Sequence, residues 1–577
     1  MTAAETRLED VCSLAELQEQ GVRVASAGGH TVALFWVDGQ VYAVDNRCPH
    51  MGFPMSRGTV ADGILTCHWH HAKFELAGGC TFDPFADDLP TFSVQVADGR
   101  VLVDPTPVTS ASSDHWHAKL IEGLEQNLPL VLAKSVIGLV EAGRTRDVLV
   151  EAARFGVRNR ADGWSSGLSI LTAMANVLPS LNEADRSRAL YHGVLHVASS
   201  TAGQAPDFDL SPLRMRPASQ EVYRGWFRRF VETRSANAAE RCLRTAIENR
   251  LAPAEIADLL FSAATDHLFM DEGHALDFAN KACELLDHIG WEHTDEVLPS
   301  VIGPIARAER MEETSAWRHP VDLPVLLADA TPAFLQALAQ GDGRLSGWDG
   351  HGALADTVLD SEPRETLAAL IEAARQGVPA TELSATVAYA AALRPVYFHT
   401  TNEFGDWDTV HHTFTYTNAV DQALRRAPSP ELARSVLDGA MSVYLERFLN
   451  VPKQRIPSAN GGPRDARTLL AEFDQQQHVD ETAQVVVDML AGGAHEDVIR
   501  LLGHALLRED AGFHMFQIYE AAVRQHENFA GRPEANNVLI GAARFLTAHS
   551  PTVRARGQTY EIAARLNRGE ALHEGVA

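Results

Sequence analysis

The tightest constraint on this chain is a pair of short motifs, Cys48-Pro49-His50 and, after sixteen intervening residues, Cys67-His68-Trp69-His70. Two thiols and two imidazoles at this spacing can hold a metal centre in few ways. A zinc ion accepts such a set as a tetrahedron. A 2Fe–2S centre takes two thiolates on one iron and two imidazoles on the other. In the second arrangement each loop gives one ligand to each iron, so two loop tips clamp the centre. Gly52 and Gly58 let those loops turn tightly. The surrounding residues read as short strands at 22–26, 30–37 and 40–44. Asp38-Gly39 sits between two of them as a hairpin turn, and Asp98-Gly99 repeats the device before a strand at 100–103.

Residues 8 to 104 resemble the Rieske 2Fe–2S family. The resemblance implies a cluster ligated by Cys48, His50, Cys67 and His70 in a small all-β domain. Rieske proteins of the respiratory quinol-oxidising complexes carry a disulfide between the two loops, whose cysteines would fall near Phe53 and Trp69 here. They also carry a serine that donates to the cluster, and Ala72 stands in its place. Fewer hydrogen bonds to the cluster sulfurs leave the reduced state less stabilised. The resemblance therefore implies the low-potential ferredoxin or oxygenase type. Trp69 is similar to the oxygenase pattern, whereas His71 departs from it, because a glycine is usual there. Cys12 and Cys80 are read as structural and His68 as a bystander.

After the strands the texture changes. A Pro/Ser/Thr tract between 104 and 114 has no hydrophobic period and reads as a linker. From His117 onward Ala, Leu, Glu and Arg recur with a helical period, and no strand run is convincing. The expected fold is multidomain, a small all-β Rieske domain followed by a large all-α domain with internal repeats. Four segments share a turn, an acidic residue and an apolar helix, beginning at Asp147, Glu255, Glu382 and Asp497. An acidic residue suits the positive end of a helix dipole. The motif Arg188-Ala-Leu-Tyr-His192-Gly also aligns with Arg434-Ser-Val-Leu-Asp438-Gly. The expected domains are a Rieske domain at 1–105, a linker at 106–116, and helical halves at 117–330 and 331–577.

Composition excludes several partner classes. The chain has 577 residues, too many for one hydrophobic core, and a formal net charge of −27. That charge argues against nucleic acid and against an anionic membrane surface. Residues 1–10 carry neither a basic region nor an apolar one, so no secretory signal is expected. With six cysteines in the whole chain, a reducing, cytoplasmic setting is the expectation.

The helical region has many histidines at metal-friendly spacings. His192 and His196 lie one turn apart on one helix face. His267 ends one helix, and Glu272 and His274 open the next. Phe398-His399 is followed by Glu403, Asp406, Asp408 and His411-His412. His504 and His514 lie in the last segment. Aligning the second helix of three repeats places His274, His412 and His514 in one column, each followed six residues on by Asn280, Asn418 and Glu520. Histidines at equivalent places in packed helices converge on a bundle core. The expected ligands of a second metal site are His192, His196, His267, Glu272, His274, His399, His412 and His514. Imidazoles with carboxylates suit iron, manganese or zinc, and an electron-donating cluster favours iron, as one or more non-haem ions. Haem would need one axial histidine, and no attachment motif is present. The competing reading is that these histidines are ordinary core and surface residues.

These readings converge on a Rieske-coupled, metal-dependent oxidoreductase. The expected enzyme is a non-haem iron oxygenase using O2 on a small organic substrate, although the chain lacks the mixed sheet-and-helix catalytic half of ring-hydroxylating oxygenases. No Gly-rich dinucleotide fingerprint follows a strand, so electrons are expected from an external ferredoxin or NAD(P)H-dependent reductase. Two alternatives stand beside it. One is a redox-sensing or electron-relay protein whose helical repeats bind a protein partner. The other is a reductase of an oxidised nitrogen or sulfur compound.

Overall fold

A computed structural model describes residues 8–108, 112–345, 347–462 and 465–573. Their contacts form two compact units, Met1–Glu151 with Ala555–Ala577, and Ala152–Arg554. The first unit differs from the expected 1–105 domain. It keeps two further helices and takes in a third from the far end of the chain. The expected linker is shorter than read, because its first residues continue a strand. Its residues 109–111 lie outside the described residues. The contacts do not divide the chain at 330.

The strands of the first unit are β1 (Glu9–Ser13), β2 (Val22–Ala27), β3 (His30–Val37), β4 (Gln40–Asp45), β5 (Thr59–Ala61), β6 (Ile64–Thr66), β7 (Lys73–Glu75), β8 (Thr91–Ala97) and β9 (Arg100–Pro107). They form an antiparallel six-stranded sheet, β1-β9-β8-β4-β3-β2, and a three-stranded sheet, β5-β6-β7. Both expected hairpins are present. Asp38 and Gly39, and Asp98 and Gly99, all take positive φ, the backbone a two-residue turn of this hand requires. Asp62-Gly63 makes a third such turn between β5 and β6.

Strand β3 is buried on both faces. Val32 and Leu34 enter one core with Leu17, Phe92 and Val101. Ala33 and Phe35 enter the other with Met55, Leu65 and Phe74. Its sequence is therefore a continuous apolar run instead of an alternating one. The second core also contains Cys48 and Cys67, so the two ligand loops are seated on packed apolar side chains.

Helix α1 (Leu14–Gln20) is capped by the Ser13 hydroxyl, and α2 (Ser113–Gln126) by that of Ser112. Helix α3 (Pro129–Glu141) packs on α2.

The second unit is helical throughout its described residues. The helices that position its site are α4 (Ser166–Val177), α5 (Glu183–Thr201), α6 (Pro253–Ala264), α7 (His274–Ile289), α8 (Ala380–Val396), α9 (Phe404–Arg426), α10 (Pro430–Leu445), α11 (His495–Arg508), α12 (Phe513–Asn528) and α13 (Pro533–Ala548). Glu255, Glu382 and Asp497 each fall in the first turn of a helix, as does Asp147 in the Thr145–Arg158 helix. Four of the helices close a ring, with α4 against α7, α7 against α9, α9 against α12 and α12 against α4. Gly193 and Gly439, the glycines ending the aligned motifs, sit at helix crossings. A Cβ at Gly193 would meet the Leu171 backbone at 2.9 Å, and one at Gly439 the Thr417 methyl at 2.8 Å. The last helix, α14 (Ala555–Asn567), belongs to the first unit, where it packs on α3. No helix among the described residues is long and apolar enough to cross a membrane.

Candidate metal centres

In the first unit, Cys48 and His50 lie on the loop between β4 and β5, and Cys67 and His70 on the loop between β6 and β7. The two loops close alike. Cys48 N–H donates to the Phe53 carbonyl at 2.8 Å, and Cys67 N–H to that of Ala72 at 2.9 Å. Gly52 N–H returns to the Cys48 carbonyl at 2.7 Å, and His71 N–H to that of Cys67 at 3.1 Å. Gly52 and His71, the fifth residue of each loop counted from its cysteine, both have positive φ, +76° and +61°. This is the backbone reason for the usual glycine at the position of His71.

The two buried thiols hydrogen-bond each other. Each sulfur also accepts backbone N–H groups, from His50 and Met51 at Cys48 and from Trp69 and His70 at Cys67. The bond from Cys48, aided by those amides, lowers the Cys67 thiol to about 6, while the shared bond and burial hold Cys48 high. The imidazoles of His50 and His70 stand edge-on to each other, with ring centroids 4.7 Å apart. Burial, then His70 and Lys134, lowers His50 to about 4, so its ring is neutral as a ligand must be. Its Nδ1 is buried with no hydrogen-bond partner. Paired thiols with amide donors, two adjacent imidazoles and an orphaned ring nitrogen together fit a 2Fe–2S cluster held by these four residues. Where the disulfide-bearing type has its bridge, Phe53 and Trp69 make an aromatic pair with centroids 6.0 Å apart. Ala72 is fully buried and offers no side-chain donor.

In the second unit His274, His412 and His514 come together, their ligand atoms all within 4.8 Å of one another. They come from three helices of the ring, α7, α9 and α12. Ring centroids are 5.0 Å apart for His274 and His412 and 4.7 Å for His412 and His514. Burial, then the neighbouring imidazoles, lowers His274 to about 3 and His412 to about 4. Asp408, one turn before His412 on α9, lies 3.0 Å from Nδ1 of His514. That contact engages Nδ1, so Nε2 is the nitrogen of His514 that would be open to a metal. Glu272 reaches to 3.6 Å from Nδ1 of His412 but is largely exposed at the rim.

The backbone entering His274 is unusual. Phe269, Asp271 and Glu272 have φ of +44°, +53° and +53°, followed by Gly273 at +93°. Non-glycine residues in this region cost about 1 kcal/mol or more each. Asp271 N–H to the Glu309 carbonyl at 2.8 Å and Leu268 N–H to Glu312 at 3.0 Å hold the segment in place.

Other expected ligands are engaged elsewhere. His192 and His196 both lie against the Phe516 ring, which offers a metal no ligand atom, and Nε2 of His192 meets the Leu507 carbonyl at 3.1 Å. His267 has both nitrogens in ion pairs, with Glu312 at 2.5 Å and Glu232 at 2.6 Å. His399 binds its own loop through Thr401 Oγ1 at 2.9 Å. His504 pairs with Asp185 at 3.0 Å.

The sequence reading noted Asp408 and His411 but placed neither among the expected ligands; Asp408 is the partner of His514, and His411 is fully buried beside the group. Burial holds His411 well below the ordinary range, and its ring centroid lies 4.5 Å from that of His514. Its Nε2 meets Gln517 Oε1 at 3.2 Å, and Gln517 donates to the buried Asp277 at 2.5 Å. Further along the ring Lys281 joins Glu284 and Glu520 at 2.8 and 2.9 Å. Asn280, Asn418 and Glu520, six residues after the three histidines, all belong to buried polar contacts of these helices.

A cleft of about 450 Å³ is lined by Trp164, Ser165, Ser200, Asp271, Phe278 and Arg307, among others. The Phe278 ring also stacks on His274, with centroids 5.2 Å apart and an interplanar angle of 22°. Five aromatics of the helical region, Trp226, Trp291, Tyr397, Trp407 and Tyr416, do not line this cleft. Trp407 and Tyr416 are core, and Trp226, Trp291 and Tyr397 lie elsewhere.

Comparison with known proteins bears on the first unit. The family model described as "Rieske [2Fe-2S] domain" matches residues 8–93. The ferredoxin component of an alkene monooxygenase system from Xanthobacter autotrophicus is 33% identical over 100 residues, 17% of this chain and 82% of that protein. A ferredoxin component of naphthalene 1,2-dioxygenase/salicylate 5-hydroxylase systems from Ralstonia sp. is 31% identical over 97 residues, 16% of this chain and 91% of that protein. Among solved structures, a chain from the complex of reduced oxygenase and oxidized ferredoxin in carbazole 1,9a-dioxygenase shares 25% identity. It covers 18% of this chain and 100% of its own length, with a TM-score of 0.17. Through residues 8–93, the chain belongs to the Rieske 2Fe–2S family.

Proposed function

We propose that this chain is a metal-dependent oxidoreductase in which electrons held by the Rieske domain are used at a second metal, bound by His274, His412 and His514. When bound, the 2Fe–2S cluster accepts and passes on one electron at a time. The observation that carries the proposal is the convergence of three imidazoles, their ligand atoms within 4.8 Å, from three different helices. Three histidines, with a carboxylate at hydrogen-bond distance from one of them, would suit non-haem iron, which would supply O2 chemistry there. Asp408 orients His514, and the buried His411–Gln517–Asp277 chain stiffens the helices behind the group. The cleft bounded by Phe278 is the place for a small organic substrate. An external ferredoxin or NAD(P)H-dependent reductase supplies the electrons. Tethering both centres to one chain keeps donor and acceptor at a high effective concentration. The working reading is an oxygenase in the cytoplasm.

Iron and acid-labile sulfide, measured together on anaerobically purified protein, test this reading. More than two irons for every two sulfides is the expected result, with the excess lost in His412→Ala. Two irons and two sulfides, unchanged by that substitution, sink the second metal and leave an electron-relay protein.

A further inference from the structure

Lys134 is a cation in an unusual place. It lies on the inner side of α3, in a run from Val131 to Leu139 that is buried throughout. The residue is 9% exposed, and its ammonium donates to the carbonyl of Pro49. Pro49 is the residue between the two ligands Cys48 and His50. Lys134 also helps to line a cavity of about 250 Å³ with Cys48, Asp87, His115 and Trp116. Among the described residues no carboxylate pairs with it. Asp87, the carboxylate that acts on it electrostatically, is bound to His115 at 2.6 Å. Lys119, the other nearby cation, is paired with Glu122 at 2.8 Å.

Burying an ammonium without a paired carboxylate is costly. The cost is offset where negative charge develops beside it. An oxidised 2Fe–2S cluster with two thiolates and two neutral imidazoles is neutral overall, and its one-electron reduced form carries one negative charge. The interaction with a nearby cation therefore differs between the two states, and in a poorly solvated interior that difference is large. We propose that Lys134 sets the reduction potential of the cluster, the positive charge of its protonated form and its bond to Pro49 favouring the reduced form. One electron arrives from an external single-electron donor, and no bond is made or broken.

Lys134 lies beyond the matched residues 8–93, so this chain adds the cation from a helix outside its Rieske segment. Ala72 leaves the cluster without a side-chain hydroxyl donor, and the ammonium offsets that loss from another direction. The low potential expected from Ala72 alone is thereby raised.

Redox titration of the full-length protein, followed by the electron paramagnetic resonance signal of the reduced cluster, tests the proposal. Lys134→Met removes charge and donor, Lys134→Gln keeps a donor, and Lys134→Arg keeps the charge. The neutral variants are expected to shift to lower potential by about a factor of ten in the one-electron equilibrium, about 59 mV. Lys134→Arg is expected to stay close to the unmodified protein. Wild-type potential in both neutral variants, at full iron and sulfide content, overturns the proposal. It is equally overturned if neither neutral variant holds a cluster while Lys134→Arg does, because Lys134 then serves folding alone.

Discussion

His573 donates from Nε2 to the carbonyl oxygen of Met51 at 3.0 Å, joining the last described residue of the chain to the loop that carries Cys48 and His50. The same imidazole stands edge-on to Trp69, centroids 4.6 Å apart, next to His70. Leu566 and Leu572 lie where a side chain at Gly52 would project, 3.1 to 3.3 Å from that point. The end of the chain therefore covers one flank of both cluster loops.

His573→Ala removes one hydrogen bond and two aromatic contacts, with Trp69 and Phe53, a loss of about 1 kcal/mol. The expected result is a cluster that assembles normally but bleaches about two- to five-fold faster under a chelator, read from its visible absorbance. An unchanged rate would show that this cover does not protect the cluster.

Gly52→Ala should be more damaging than His573→Ala. Its φ of +76° is unfavourable for a side chain, and the new methyl would press on Leu566 and Leu572. The variant is expected to be purified with less iron and sulfide per chain, at unchanged helical content by circular dichroism.

How much of this was legible in the sequence depends on what each feature needs. The cluster loops and two hairpins were readable because their chemistry is local. Asp38-Gly39 and Asp98-Gly99 lie between runs long enough to recognise, whereas Asp62-Gly63 joins strands of three residues each and escaped notice. His274, His412 and His514 stood out in sequence because each is followed six residues on by Asn280, Asn418 or Glu520, and their ligand atoms lie within 4.8 Å of one another. His267 and His192 looked equally suitable, and nothing local shows that Glu232, Glu312 or Phe516 would engage them. The return of α14 to the first unit was not readable either. An apolar helix face does not name its partner, and α14 meets α3 across more than four hundred residues of chain, as in the Asn567–Glu141 contact at 2.9 Å.

Glu446 makes the stability of the second unit depend on pH. Burial pushes its carboxyl up to about 8 from an ordinary 4.5, against the opposing effects of the Thr413 hydroxyl and Arg394. Between those two values the folded chain holds a proton that the unfolded chain has released. The native state then binds more protons, so stability falls as pH rises through that window. Glu446→Gln removes its share of the dependence and leaves that of Asp277 and Asp438, which burial also raises. The variant is expected to match the unmodified protein in urea midpoint near pH 4.5 and to exceed it clearly at pH 8, the direction that a raised carboxyl dictates.

Asp408 offers a test of the histidine group that leaves every imidazole in place. Its carboxylate lies 3.0 Å from Nδ1 of His514 and 3.8 Å from Nε2 of His549, and the two histidines hold it well below the ordinary carboxylate range against the effect of its burial. An ionised carboxylate can only accept, so it requires a proton on Nδ1 of His514, and Nε2 is then the ring nitrogen that would serve a metal. Asp408→Asn keeps the shape but can present an amide N–H instead, which admits the opposite tautomer. Partners of this kind are worth about 10- to 100-fold in metal affinity. The variant is therefore expected to bind the second metal about that much more weakly, measured by competition with a chelator, while the reduced cluster keeps its paramagnetic signal. His274→Ala should abolish the same binding outright. Equal affinity in Asp408→Asn and the unmodified protein would mean that His514 is not oriented by Asp408, whatever the metal content proves to be.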